Sequence, residues 1–164
     1  MKITTFKDMY IAELQELASL EKQLADALHK VAAKASHPAL KDALLNHREE
    51  TLVHAERLED ILKNHGAEPR AHTDQAMQAL IKETDKMMKM LNEKNLRDAG
   101  LIASAQKIEH YEIAAYGTAA ALAGQLELRD DQRTLFETLE EEKKADALLS
   151  ELAKGGVNQD ALAA

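Results

Sequence analysis

Four long stretches of this 164-residue chain repeat apolar residues every three or four positions, and inside each apolar stripe sits an ionisable side chain. At about 100° per residue, Leu40, Leu44, His47, Glu50, His54, Leu58, Ile61 and Leu62 share one face of a helix, while Arg48, Glu49, Glu56, Glu59, Asp60 and Lys63 point away. Glu50 and His54 are therefore expected to face a core. An ionised carboxylate withdrawn from water is costly unless it is paired or holds a metal. A chain built this way must bring these groups together or neutralise them.

Composition narrows the fold. Two Pro, six Gly and 3% aromatic residues, with long runs rich in Ala, Leu, Glu and Lys, favour an all-α protein over any sheet. The length suits a single domain, expected over residues 1–156, with a short frayed tail at 157–164. The absence of Cys removes disulfides, thiolate metal sites, iron–sulfur clusters and thiol catalysis, so any metal must use oxygen and nitrogen ligands. A formal charge of −8 argues against a nucleic-acid or anionic-membrane surface. The segment Met1 to Asp8 lacks a signal-like apolar run, and no stretch reaches the ~20 apolar residues of a membrane span. The chain reads as cytoplasmic.

Taken in order, a helix is expected from Thr4 or Thr5 to about Ala35, with Ile3, Phe6, Tyr10, Leu14, Leu17, Leu24, Leu28 and Ala32 inward and Glu21 among them. A second runs from Pro38 to Gly66 and carries Glu50 and His54. A shorter crossover helix spans about Asp74 to Asn92. The fourth runs from about Leu96 to Gly124 with Glu109 and Glu112 in its stripe, and the fifth starts near Asp130 and ends before Gly155, with Glu142 and Asp146 inward.

The chain also repeats itself. Laying the first two helices on the last two puts Glu21 on Glu112, Glu50 on Glu142 and His54 on Asp146, at offsets of 91, 92 and 92 residues. Two helical hairpins related by an approximate two-fold, joined by a long crossover, would gather these groups at mid-bundle, the arrangement described for dinuclear carboxylate proteins. Glu21, Glu50, His54, Glu109, Glu112, Glu142 and Asp146 are then candidate ligands for two metal ions. Mostly oxygen donors with one imidazole lean toward iron, with manganese or zinc left open. Without metal, so dense a group of acids should hold protons that divalent ions displace.

The segments Leu20 to Leu24, His47-x-Glu49-Glu50-Thr51 and above all Glu109-His110-Tyr111-Glu112-Ile113-Ala114-Ala115-Tyr116-Gly117-Thr118 resemble the bacterial YciE/YciF family of ferritin-like stress proteins. The resemblance covers nearly the whole chain. It implies a ferritin-like four-helix bundle of two hairpins plus the crossover helix, often a dimer, linked to stress responses and without a settled reaction. Glu109 and Glu112 also look like the helix that gives rubrerythrins an extra carboxylate ligand, which implies peroxide chemistry at a di-iron centre. By the same analogy Glu50 and Glu112 would be the bridging acids. Glu50-x-x-x-His54 stands where ferritin-like proteins carry Glu-x-x-His, and Asp146 where a His would be expected. With no cysteine-bound iron domain, turnover would need an external electron donor.

Ferrous oxidation or peroxide removal, with oxygen or peroxide as substrate, is thus one expectation. The other is a non-catalytic helical stress protein acting through its surfaces. His47 either donates to a ligand carboxylate or caps the core edge. Tyr116, one turn after Glu112, either bonds a ligand or is ordinary core, and His110 points to the surface. Met77, Met87, Met88 and Met90 read as adaptable packing. Leu45, Leu52 and Val53 form a second apolar patch, for which a two-fold homodimer is the commonest solution.

Overall fold

The computed structural model describes residues 2–164, and Met1 lies outside the described residues. Helix α1 (Phe6–Ala32) begins at a reciprocal cap, in which Thr5 Oγ1 accepts from the Asp8 amide and Asp8 Oδ2 accepts from the Thr5 amide. Ile3 and Phe6, expected inward, are 55% and 44% exposed because they lie before or within this first turn. Helix α2 (Pro38–Asn64) starts with proline in its first turn and ends at Gly66, whose φ of +65° is the left-handed stop expected there. No side chain of its own caps α2. Asp98, buried on the fourth helix, instead accepts from the Ser36 and His37 amides at 2.8 Å each.

Helix α3 (Gln75–Met90) is the crossover. Its cap, Asp74, also ties it to both hairpins: its amide donates to Ser19 Oγ on α1 at 3.0 Å, and its Oδ2 accepts from the Tyr111 hydroxyl at 2.7 Å. Helices α4 (Lys94–Gln125) and α5 (Arg129–Leu152) form the second hairpin. Within each hairpin the helices pack along their length, and α1 meets α4 while α2 meets α5. The result is an all-α four-helix bundle of two hairpins with a covering crossover. Asp131 closes one end, accepting from the Tyr10 hydroxyl at 3.0 Å and lying 2.7 Å from His65 Nε2.

The segment after α5 differs from the frayed tail expected. Gly156, at φ +153°, kinks the chain, and a short helix α6 (Asn158–Leu162) folds back onto α4. Val157, only 2% exposed, anchors this return and belongs to the packed body, while α6 rests on α4 with its outer residues exposed.

Two further differences concern the phase of the inward faces. On α2 the buried positions are Leu40, Leu44, His47, Thr51, His54, Leu58, Ile61 and Leu62, a four-three alternation in which Thr51 follows His47. Glu50 lies about 80° from the centre of that face. It was expected in the core and its side chain is 55% exposed. The internal repeat shows the same slip. An offset of 91 residues carries Leu44, His47, Thr51 and Leu58 onto Leu135, Thr138, Glu142 and Leu149, all buried, and it also carries Glu21 onto Glu112. In this register Glu142 corresponds to Thr51 and His54 to Ala145. Asp146, expected inward, lies at the edge of the α4–α5 seam, 22% exposed and within reach of His110 and Gln106.

Candidate metal centre

Six ionisable side chains converge at the middle of the bundle: Glu21 from α1, His47 and His54 from α2, Glu109 and Glu112 from α4, and Glu142 from α5. All are buried, with His47 the most accessible at 6%. Each helix reaches the centre from its inward face. Glu109 and Glu112, three residues apart, lie on one side of α4, and His47 and His54 stand two turns apart on α2.

The donors fall into two groups that share a member. His47, Glu109, Glu112 and Glu142 offer ligand atoms within 4.8 Å of one another, and so do Glu21, His54 and Glu142. His47 Nε2 lies 3.2 Å from Glu109 Oε1 and 3.7 Å from Glu142 Oε2. On the other side, His54 Nδ1 lies 2.8 Å from Glu142 Oε1 and 3.6 Å from Glu21 Oε1. Glu142 thus turns one oxygen to each group.

What sets the cluster apart is how little of it is satisfied within the protein. Among the described residues, thirteen buried side-chain polar atoms lack a hydrogen-bond partner, and nine are here: six carboxylate oxygens of Glu21, Glu109, Glu112 and Glu142, and three imidazole nitrogens. Folded proteins leave few buried polar groups unpaired. Both oxygens of Glu112 and both of Glu142 are among them. Oxygen and imidazole donors converging with so few partners in the protein fit divalent cations of the iron, manganese and zinc kind.

Electrostatics agree. Burial, then the Glu142 carboxylate, pushes Glu21 up to about 8, and burial raises Glu109 to about 7 against the pull of His47. Glu112 is driven well above the usual carboxylate range by burial and by Glu142, Glu21 and Glu109 around it. Burial works against both imidazolium ions, yet the carboxylates beside them prevail, Glu109 first for His47 and Glu142 first for His54, and both stay above the ordinary histidine range. Without cations the cluster is held together by protons.

Two contacts orient the donors. The Tyr116 hydroxyl donates to Glu21 Oε1, the second of the roles expected for it beside core packing. His54 Nε2 lies 2.9 Å from Glu141 Oε2, which also accepts from Arg57 Nη1 at 2.5 Å. When His54 carries a single proton, kept on Nε2 by Glu141, its Nδ1 lone pair faces Glu142 and Glu21.

Of the seven ligands expected from the sequence, Glu21, His54, Glu109, Glu112 and Glu142 are brought together, and Glu50 and Asp146 are not. His47 takes the place expected of Glu50. The four-three spacing from Leu40 to Leu58 carried that signal, whereas a three-residue step from His47 selected Glu50. Nothing local in the sequence marks Glu141 or Arg57, and only the structure shows that they hold His54.

Comparison with known proteins agrees with this architecture. Residues 5–162 match the family model described as Domain of unknown function (DUF892). Protein YciF of Escherichia coli K12 is 41% identical over 162 residues, which is 98% of either chain. The crystal structure of that E. coli stress protein superposes with a TM-score of 0.90 over 95% of this chain and 99% of that one. YcfI of Rhodopseudomonas palustris, proposed as a structural protein, is 37% identical, with a TM-score of 0.88 over 91% of this chain and 95% of that one. A Xanthomonas campestris protein, 17% identical with a TM-score of 0.80 over 96% and 97% of the two chains, shares the fold.

Proposed function

Because the chain belongs to the YciE/YciF family, matched along nearly its whole length by the model for the domain of unknown function DUF892, we propose that it is a stress-response protein built around a dinuclear metal centre. The observation that carries this is the nine unpaired buried donor atoms in two groups joined by Glu142. In this reading His47, Glu109, Glu112 and Glu142 would hold one ion, and Glu21, His54 and Glu142 the other. Glu141 and Arg57 fix the tautomer of His54, and the Tyr116 hydroxyl orients Glu21. Iron is the ion we favour, with manganese and zinc as alternatives. Bound iron would supply redox chemistry, oxidation of ferrous ions or removal of peroxide, with electrons from a donor outside the chain. These residues of the chain would bind and orient the ions and exchange protons with that centre.

A second reading rests on two observations. The R. palustris relative is proposed as a structural protein, and Leu45, Leu52 and Val53 are 37%, 38% and 45% exposed on an otherwise charged helix. Here the centre braces the bundle and the function lies in that face, covered by a second copy of this chain. No described helix is long and apolar enough to cross a membrane, and we place the protein in the cytoplasm.

The test is elemental analysis of protein expressed in iron-supplemented medium, followed by oxygen and peroxide consumption with added ferrous iron. Two ions per chain with turnover that Glu142→Ala abolishes, while the fold persists, supports the redox reading. Two ions without turnover favours the structural one, and metal-free protein that takes up no added iron overturns the centre itself.

A further inference from the structure

The donors lie in mid-bundle, so an entering ion must pass between helices, and three cavities among the described residues reach them. A cavity of about 100 Å³ between α1, α3 and α4 reaches a single donor, Glu109; Asp26 and Asp85 belong to its lining, but most of it is apolar, with Leu24, Leu28, Leu101 and Ile108. A wide groove of about 710 Å³ beside α1 and α2 touches the donors only at Glu21, whose Oε1 already accepts the Tyr116 hydroxyl. The third is a cleft of about 360 Å³ between α2 and α5, and it reaches both His47 and Glu109.

This cleft, which Glu141 and Lys144 also line, holds a series of donors from solvent to centre. Glu50 stands in it with its side chain 55% exposed and Oε2 3.7 Å from His47 Nδ1. The His47 side chain is only 7% exposed, and its other nitrogen lies 3.2 Å from Glu109 Oε1. Neither nitrogen of His47 has a hydrogen-bond partner, so a buried, unpaired imidazole is aimed along the cleft between an outer and an inner carboxylate. A cation arriving at Glu50 can trade its waters for one donor at a time until it reaches Glu109 and Glu142.

We propose that the α2–α5 cleft is the entry route for divalent cations, with Glu50 as the outer carboxylate that captures the hydrated ion and passes it by His47 to Glu109. The inference rests on the reading of the buried cluster as a metal centre. Glu50 then sets how fast the centre fills and takes no part in the filled state.

The test mixes metal-free protein rapidly with Co²⁺ and follows the visible absorption of the bound ion, for the parent, Glu50→Gln and Glu56→Gln, the last lying in the groove beside α1 and α2. Glu50→Gln should load about tenfold more slowly, the lower range of what charge placement does to association, and reach the parent's stoichiometry and spectrum, while Glu56→Gln loads at the parent's rate. Equal rates for Glu50→Gln and the parent would overturn the entry route, as would slowing by Glu56→Gln alone. A lower stoichiometry or altered spectrum in Glu50→Gln would make Glu50 a resident ligand and overturn its role as a transit site. No Co²⁺ uptake by the parent would fail the metal centre itself, an outcome distinct from the others.

Discussion

Glu112 is the position where function and stability should oppose each other most clearly. It is fully buried, neither oxygen has a hydrogen-bond partner, and the carboxylates of Glu142, Glu21 and Glu109 surround it. A buried polar group left unsatisfied costs about 1–3 kcal/mol. Replacing buried ionic groups by hydrophobic ones of similar volume stabilises by about 1–4 kcal/mol in favourable cases. Glu112→Leu should therefore stabilise the metal-free protein by ~1–4 kcal/mol at pH 8, where removing one acid also relieves its neighbours. For a domain of this size each kcal/mol moves Tm by about 2–4 °C. Metal should reverse the ranking. At a free concentration of about 100 Kd it adds about 2.7 kcal/mol to the parent, and the variant, lacking a donor, should gain much less. Urea denaturation of both proteins, with chelator and with Mn²⁺, gives the four stabilities needed. A Glu112→Leu protein less stable than the parent in chelator by about 2 kcal/mol or more would refute the reasoning, because the carboxyl would then be making structural bonds where neither oxygen has a partner.

Three further predictions follow the same physics. Glu21, raised to about 8, Glu109, raised to about 7, and the elevated imidazoles of His47 and His54 all bind protons more tightly folded than unfolded. For Glu21 and Glu109 the resulting stability is complete below about pH 4.5 and drains away up to about pH 8. For the histidines it is complete below about 6.5 and is lost above that. The metal-free fold should therefore weaken from pH 5 to pH 8, and metal binding should release protons, seen as a buffer-dependent heat in titration calorimetry; heats independent of buffer would count against it. Glu141→Gln should weaken metal binding about 10–100-fold by releasing His54 from its tautomer, with unchanged secondary structure by circular dichroism. Val157→Ala should cost about 2 kcal/mol in urea denaturation by loosening the return of α6 onto α4, whereas a frayed tail would show no change.

Much of this was legible in the sequence because helical periodicity is a strong signal over long segments. The five main helices, the two-hairpin plan and five of the six converging donors follow from apolar spacing and from the repeat. What was not legible turned on one residue of register. Glu50 and Thr51 both lie within a turn of His47 and His54, and a three-residue step from His47 selects Glu50. Only packing against α5 shows that the narrow side of the face belongs to Thr51, with 0% exposure. The same slip hid His47 as a donor and set Asp146 where the exact repeat has Ala145. The tail was misread for another reason. Gly155-Gly156 reads as a terminator, yet the kink at Gly156 turns the chain back and buries Val157. Contacts across the bundle, such as Glu141 on His54 or Asp98 on the start of α2, join residues 87 and 61 positions apart and leave no local trace.

The central claim is that two ions share Glu142, and anomalous diffraction from crystals soaked in Mn²⁺ tests it most directly. The account predicts two peaks in the bundle core on opposite sides of the Glu142 carboxylate, about 3.5–4 Å apart as in other two-metal sites, one beside His47, Glu109 and Glu112 and the other beside Glu21 and His54. A core without peaks, or peaks only at Glu50 or Asp146 on the outside of the bundle, would contradict it.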